Sequence, residues 1–82
     1  MTTHDIFQLT VKITREVLPE LEDHSFQPSD QLAELGANSV DRIEILTMIL
    51  EKLSLQIPRV ELMSAQNIGQ LAELLYGKLQ TV

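Results

Sequence analysis

Cysteine is absent from the 82-residue chain, so it holds neither a disulfide framework nor a thiol nucleophile of its own. Tryptophan is missing too, and the aromatic residues are only Phe7, Phe26 and Tyr76, too few for an aromatic cage. Basic residues are scarce: six Lys and Arg stand against twelve Asp and Glu, for a net charge of −6. Phosphate backbones are bound by basic faces, so nucleic acid is not an expected partner. No apolar run approaches the roughly 20 residues of a membrane span, and the N-terminus lacks a charged-then-apolar signal. A cytoplasmic protein with no membrane partner is expected.

What is present fits one small globular domain, residues 1–82, expected to be monomeric. Hydrophobic residues make up 44% of the chain, well above the range of disordered sequences. A chain this short buries only about 60–65% of its unfolded surface. That leaves little room for a deep catalytic cavity with a supporting shell. Acidic residues gather in the middle: nine of them lie from Glu16 to Glu51, opposed there only by Arg42. That half should carry a negative potential able to steer basic partners.

Helical periodicity runs from Thr3 to Leu18. Ile6, Ile13, Val17 and Leu21 share one stripe with Thr10 and Thr14, while Gln8, Lys12, Arg15 and Glu16 fall opposite. Pro19 is a stop signal. From Pro19 to Asn38 no period is sustained. Leu21, Phe26, Leu32 and Leu35 are spaced as anchors for a long connection, with a short helical turn near Ser29 to Leu35.

A second helix is expected from Ser39 to Leu53. Ile45, Leu46, Ile49 and Leu53 make its apolar face, and Val40, Glu44, Thr47 and Glu51 the opposite strip, flanked by Ile43 and Leu50. Val40 is either a lone exposed apolar residue or part of a docking surface. Ile57-Pro58 ends this region, Arg59 to Met63 can make about one turn, and Asn67 with Gln70 reads as a capping box opening the last helix. Ile68, Leu71, Ala72, Leu75 and Leu79 line one of its faces. The fold class is therefore all-α, a small bundle of three main helices plus one short helix.

Catalytic constellations are missing. Ser39 has no Gly-x-Ser-x-Gly elbow, and neither His4 nor His24 lies where a core element would orient it as a base. Glu22-Asp23-His24 and His4-Asp5 lack the spacing of a metal site, and there is no glycine-rich phosphate loop. The chain is not expected to be an enzyme. Its one chemical handle is the hydroxyl of Ser39, held at a helix start beside an acidic strip. Asn38 and Ser39 both favour helix caps, so Ser39 is either a cap or an attachment point for a negatively charged group, which a helix N-terminus favours.

The string Leu35-Gly36-Ala37-Asn38-Ser39-Val40-Asp41 resembles the Gly-x-Asp-Ser-Leu motif of acyl carrier proteins, and the similarity extends over nearly the whole chain. The resemblance implies that Ser39 accepts 4′-phosphopantetheine from coenzyme A through a Mg²⁺-dependent phosphopantetheinyl transferase. It also implies that the arm's thiol carries an acyl group as a thioester. Partner enzymes, among them an acyltransferase and a ketosynthase or HMG-synthase-like enzyme, would dock on Asn38, Val40, Asp41, Arg42, Ile43, Glu44, Thr47, Glu51 and Arg59. Asn38 stands where the motif has Asp, and Val40 where Leu is commoner. With Arg42, these departures resemble discrete carriers of bacterial polyketide pathways. Among those, they resemble the donor carriers of β-branching cassettes, which deliver acetyl to an HMG-CoA-synthase-like enzyme. A peptidyl carrier for aminoacyl groups, or an unmodified helical interaction module of the same fold, are the alternatives.

Overall fold

A computed structural model describes residues 1–80. It has three α-helices, α1 (Thr3–Val17), α2 (Ser39–Lys52) and α3 (Ile68–Gln80), and two short 3₁₀ turns, Pro19–Leu21 and Arg59–Leu62. No strand occurs among the described residues, as the lack of alternating patterns predicts.

The first helix starts on a capping box: the Thr2 hydroxyl accepts the Asp5 N–H and the Asp5 carboxylate accepts the Thr2 N–H, satisfying two backbone donors reciprocally. It packs against both α2 and α3, while the second 3₁₀ turn bridges those two. Its inner face holds Ile6, Thr10, Ile13 and Thr14, as the stripe predicts; Val11 is buried too, off that stripe. Thr10 and Thr14 are fully buried because each hydroxyl donates back along the helix, to Ile6 O at 2.9 Å and Thr10 O at 2.7 Å. Val17 is only half-buried. Pro19 does end the helix, but its fixed φ also suits the first position of a new turn, and Pro19–Leu21 makes one.

Leu50 does not flank an exposed strip; it is buried at 8% exposure. The reason is the end of α2. Leu55 N–H bonds Leu50 O at 2.9 Å and Ser54 N–H bonds Glu51 O at 3.2 Å, with Ser54 at φ 54°. This is a Schellman ending, which brings the residues at its two ends into apolar contact. Leu50 and Leu55 therefore join Ile45, Ile49, Leu62, Leu71, Ala72 and Leu75 in the core.

The long connection is held differently from the expectation. Of its four apolar anchors, Leu32 packs on the core. Phe26 instead forms a cluster: Arg15 lies over its ring at 5.0 Å and His24 meets it edge-on at 4.8 Å. Arg15 Nη2 also donates to His24 O at 2.9 Å, and His24 Nε2 pairs with Asp30 Oδ2 at 3.0 Å. No helix forms near Ser29 to Leu35; consecutive turns do, closing on Leu35, Gly36 and Ala37 N–H groups.

The start of α3 uses this connection as a cap. Ile68 N–H donates to Asp30 O at 2.9 Å, Gly69 N–H to Pro28 O at 2.8 Å, and Gln70 N–H to Asn67 Oδ1 at 2.8 Å. Three otherwise orphaned helix donors are thereby satisfied. The return arm of the expected box is displaced by one residue, since Gln70 Oε1 accepts the N–H of Gln66 at 2.9 Å.

Candidate functional site

Gly36 turns the chain at φ +105°, a conformation open to glycine and costly for residues with a Cβ. Ala37 follows, buried at 3% exposure, with its N–H on Leu32 O at 3.0 Å. The next residue begins α2. Asn38 is its N-cap: Asn38 Oδ1 accepts the Asp41 N–H at 2.8 Å, and Asp41 Oδ2 accepts the Asn38 N–H at 3.1 Å. Ser39 is therefore the first residue of the helix and not its cap. Two adjacent residues could have filled the role, and Asp41, three residues after Asn38, selects Asn38 through the reciprocal box. The Ser39 hydroxyl is left out of capping on an exposed residue.

Beside it lies Arg42, one turn on. Arg42 Nη1 donates to Ala37 O at 3.0 Å, and Nη2 sits 3.4 Å from Ser39 Oγ. Asn38 and Ser39 are exposed, while Asp41 and Arg42 are half-buried.

The other residues singled out from the sequence form a surface running down α2. Val40 is 71% and Ile43 47% exposed, and Glu44 and Glu51 are exposed with them. Thr47 is half-buried, and its Oγ1 accepts from Arg59 Nη1 at 3.1 Å. That bond ties the second 3₁₀ turn to the strip. Two further exposed apolar residues, each 71% exposed, are Val60 on that turn and Met63, which caps its end. They escaped the sequence reading because a single turn offers no period to project.

A cavity of about 360 Å³ opens next to Ser39. Leu32, Ile43, Leu46, Leu62 and Leu71 give it apolar walls, and Ser39 and Arg42 stand among its lining residues. A group fixed to Ser39 would thus have water on one side and an apolar recess on the other. His4 and His24 are not brought to Ser39: His4 is on the first turn of α1 and His24 is paired with Asp30. Among the described residues no cluster of three or more His, Cys, Asp or Glu could hold a metal ion, and no helix is long and apolar enough to cross a membrane.

The chain is similar to several known proteins. Residues 8–75 match the family described as "Phosphopantetheine attachment site". The chain is 58% identical over 81 residues to the polyketide biosynthesis acyl-carrier-protein AcpK of Bacillus subtilis, covering 99% of each. It is 32% identical over 74 residues to the highly reducing polyketide synthase aurA of Calcarisporium arbuscula, of which it spans 3%. It is also similar, at TM-score 0.91 and 48% identity, to a chain in the crystal structure of the curacin biosynthetic pathway HMG synthase in complex with acetyl donor-ACP. That match covers 94% of this chain and 99% of the other.

Proposed function

Since the chain belongs to the phosphopantetheine-attachment family of acyl carrier proteins, we propose that Ser39 is the residue that carries its 4′-phosphopantetheine. The observation behind this is the division of roles at the start of α2: Asn38 caps the helix, so the Ser39 hydroxyl is on an exposed residue and free of capping. The surroundings fit a phosphate ester there, with the N-terminal end of a helix, which favours negative charge, and an arginine fork next to the hydroxyl. The group, when attached, supplies the terminal thiol that this cysteine-free chain lacks. The protein is a carrier and not a catalyst.

The chain's own residues then do two things. Ser39 fixes the attachment point on a rigid helix, and α2 with the second 3₁₀ turn offers partner enzymes a mixed surface. Val40 and Ile43 supply apolar contact, while Glu44 and Glu51 supply charge for basic partners. Asn38, Asp41, Arg42, Thr47 and Arg59 shape that surface through the hydrogen bonds described above. Docking of this kind is fast and salt-sensitive, as suits a shuttle that must leave each enzyme. The partners would be a phosphopantetheinyl transferase, an acyltransferase and an HMG-synthase-like enzyme receiving acetyl, in the cytoplasm of a polyketide-producing bacterium. Similarity to AcpK and to a chain from the HMG synthase complex supports that pathway.

Incubation with coenzyme A, Mg²⁺ and a broad-specificity transferase tests the attachment site. Intact-mass measurement should find one phosphopantetheine on the wild type and none on Ser39→Ala. An unchanged mass in folded wild type would overturn the proposal, and a loaded Ser39→Ala would move the site elsewhere.

A further inference from the structure

Arg42 is the one cation in the acidic stretch from Glu16 to Glu51, and its neighbours in the sequence include Asp41 and Glu44. Among the described residues it forms an ion pair with neither. Asp41 is drawn into the capping box instead, and Glu44 lies on the exposed strip. The guanidinium turns back toward the start of the helix, where Nη1 is held on Ala37 O and Nη2 points at Ser39 Oγ. Ala37 is buried, so its carbonyl is a fixed anchor. The 3.4 Å contact to Oγ is at the edge of hydrogen-bond range. A guanidinium has five N–H donors in a rigid fork, more than these two contacts use. The fork is in place, half-buried, and short of strong acceptors.

We infer that Arg42 is a positioning residue for the group borne by Ser39: its guanidinium, anchored on the Ala37 carbonyl, binds a non-bridging oxygen of the phosphodiester. This rests on Ser39 being the attachment site. Esterification turns Oγ into the bridging oxygen of a phosphodiester, whose charged oxygens lie one bond angle further out. A guanidinium already beside Oγ meets them without leaving Ala37. The weak contact from a cation to a neutral hydroxyl becomes one between opposite charges, which is shorter and stronger. Arg42 lines the same cavity as Ser39, Ile43 and Leu46, so holding the phosphate on this side inclines the rest of the arm toward that recess. Arg42 thereby couples the direction of the arm to the start of α2.

The test uses loaded protein, with loading verified by intact mass. In wild type, hydrogen exchange of the Arg42 guanidinium with water should slow about fivefold between the unmodified and loaded forms, the factor expected of one net hydrogen bond. The ³¹P resonance of the loaded protein should shift in Arg42→Ala and lie between the two in Arg42→Lys, which keeps the charge but not the fork. Lys52→Ala, at the other end of α2, should leave it unmoved. Equal exchange rates before and after loading, or equal ³¹P resonances in loaded wild type and Arg42→Ala, would overturn the role of Arg42 alone. Wild type that takes no load at Ser39 would overturn the attachment site, and this role with it. The exchange measurement needs only wild type, so it decides even if Arg42→Ala is poorly folded.

Discussion

Two arginines in this molecule make the same bond and do different work. Arg15 and Arg42 each donate one guanidinium N–H to a loop carbonyl, His24 O at 2.9 Å and Ala37 O at 3.0 Å. Around Arg15, itself half-buried, the guanidinium face is covered: Phe26 lies over it, and Nε is buried without a partner. Around Arg42 it is open, with the Ser39 hydroxyl next to it and a cavity alongside. The first arginine clamps a twenty-residue connection to α1; the second stands at the point the connection leads to. An arginine with its surroundings filled is a fastener. The same side chain beside the Ser39 hydroxyl and a cavity is placed to serve a site.

The largest effect should come from loosening the clamped region where it caps α3. A Cβ added at Gly69 would lie 2.8 Å from Pro28 Cβ and 3.0 Å from Pro28 O, and neither a proline ring nor a backbone carbonyl can easily yield. Gly69→Ala should therefore cost about 1–3 kcal/mol, despite the better helix propensity of alanine. Thermal melting and amide exchange at Ile68 and Gly69 would register it. A raised melting temperature would show that the connection is not pressed onto α3.

The arginines themselves come next. Arg15→Ala removes a hydrogen bond and a cation–π contact and should cost about 1–2 kcal/mol in urea unfolding. Arg42→Ala should cost about half of that or less, because one of its two contacts is long, at 3.4 Å, and on an exposed residue. Equal losses would erase the distinction between fastener and site.

On the open side, Glu44→Lys should leave the melting temperature within about 2 °C, as expected of an exposed position. It should also slow loading by partner enzymes severalfold at low salt. Loss of helical signal would mean that Glu44 supports the fold instead.

The smallest effect concerns the clamped side and pH. Asp30 has its pKa lowered from the ordinary 3.8, first by the Gln27 N–H it accepts and then by its bond to His24. A depressed carboxylate adds stability that is fully present above its unfolded value and is lost as pH falls through the folded one. Acidification below about 3.8 should thus release the connection, and Asp30→Asn should flatten that part of the unfolding profile.

The three α-helices were legible because each repeats an apolar side every three or four residues, and Ile6, Ile45 and Leu75 lie where that period puts them. The start of α2 was legible because its residues, Gly36 to Asp41, are contiguous. Contacts between residues far apart in the sequence were not. Nothing in the order of residues announces that Arg15 meets Phe26, or that Pro28 abuts Gly69. Leu50 was misjudged for a related reason: its side is set by the chain reversal at Ser54, after the helix has ended. Which of Asn38 and Ser39 caps α2 stayed open between two equally competent neighbours, and only Asp41's reach back to Asn38 resolves it.

That cap has a consequence for traffic. Because Asn38 and Asp41 close the end of α2 between themselves, the proposed esterification of Ser39 would break none of the bonds that begin the helix. On that proposal, empty, primed and laden forms would share one body, and the enzymes they visit would tell them apart by the arm. Queueing at each enzyme would be settled by cargo, while the protein beneath keeps the same outline at every stop.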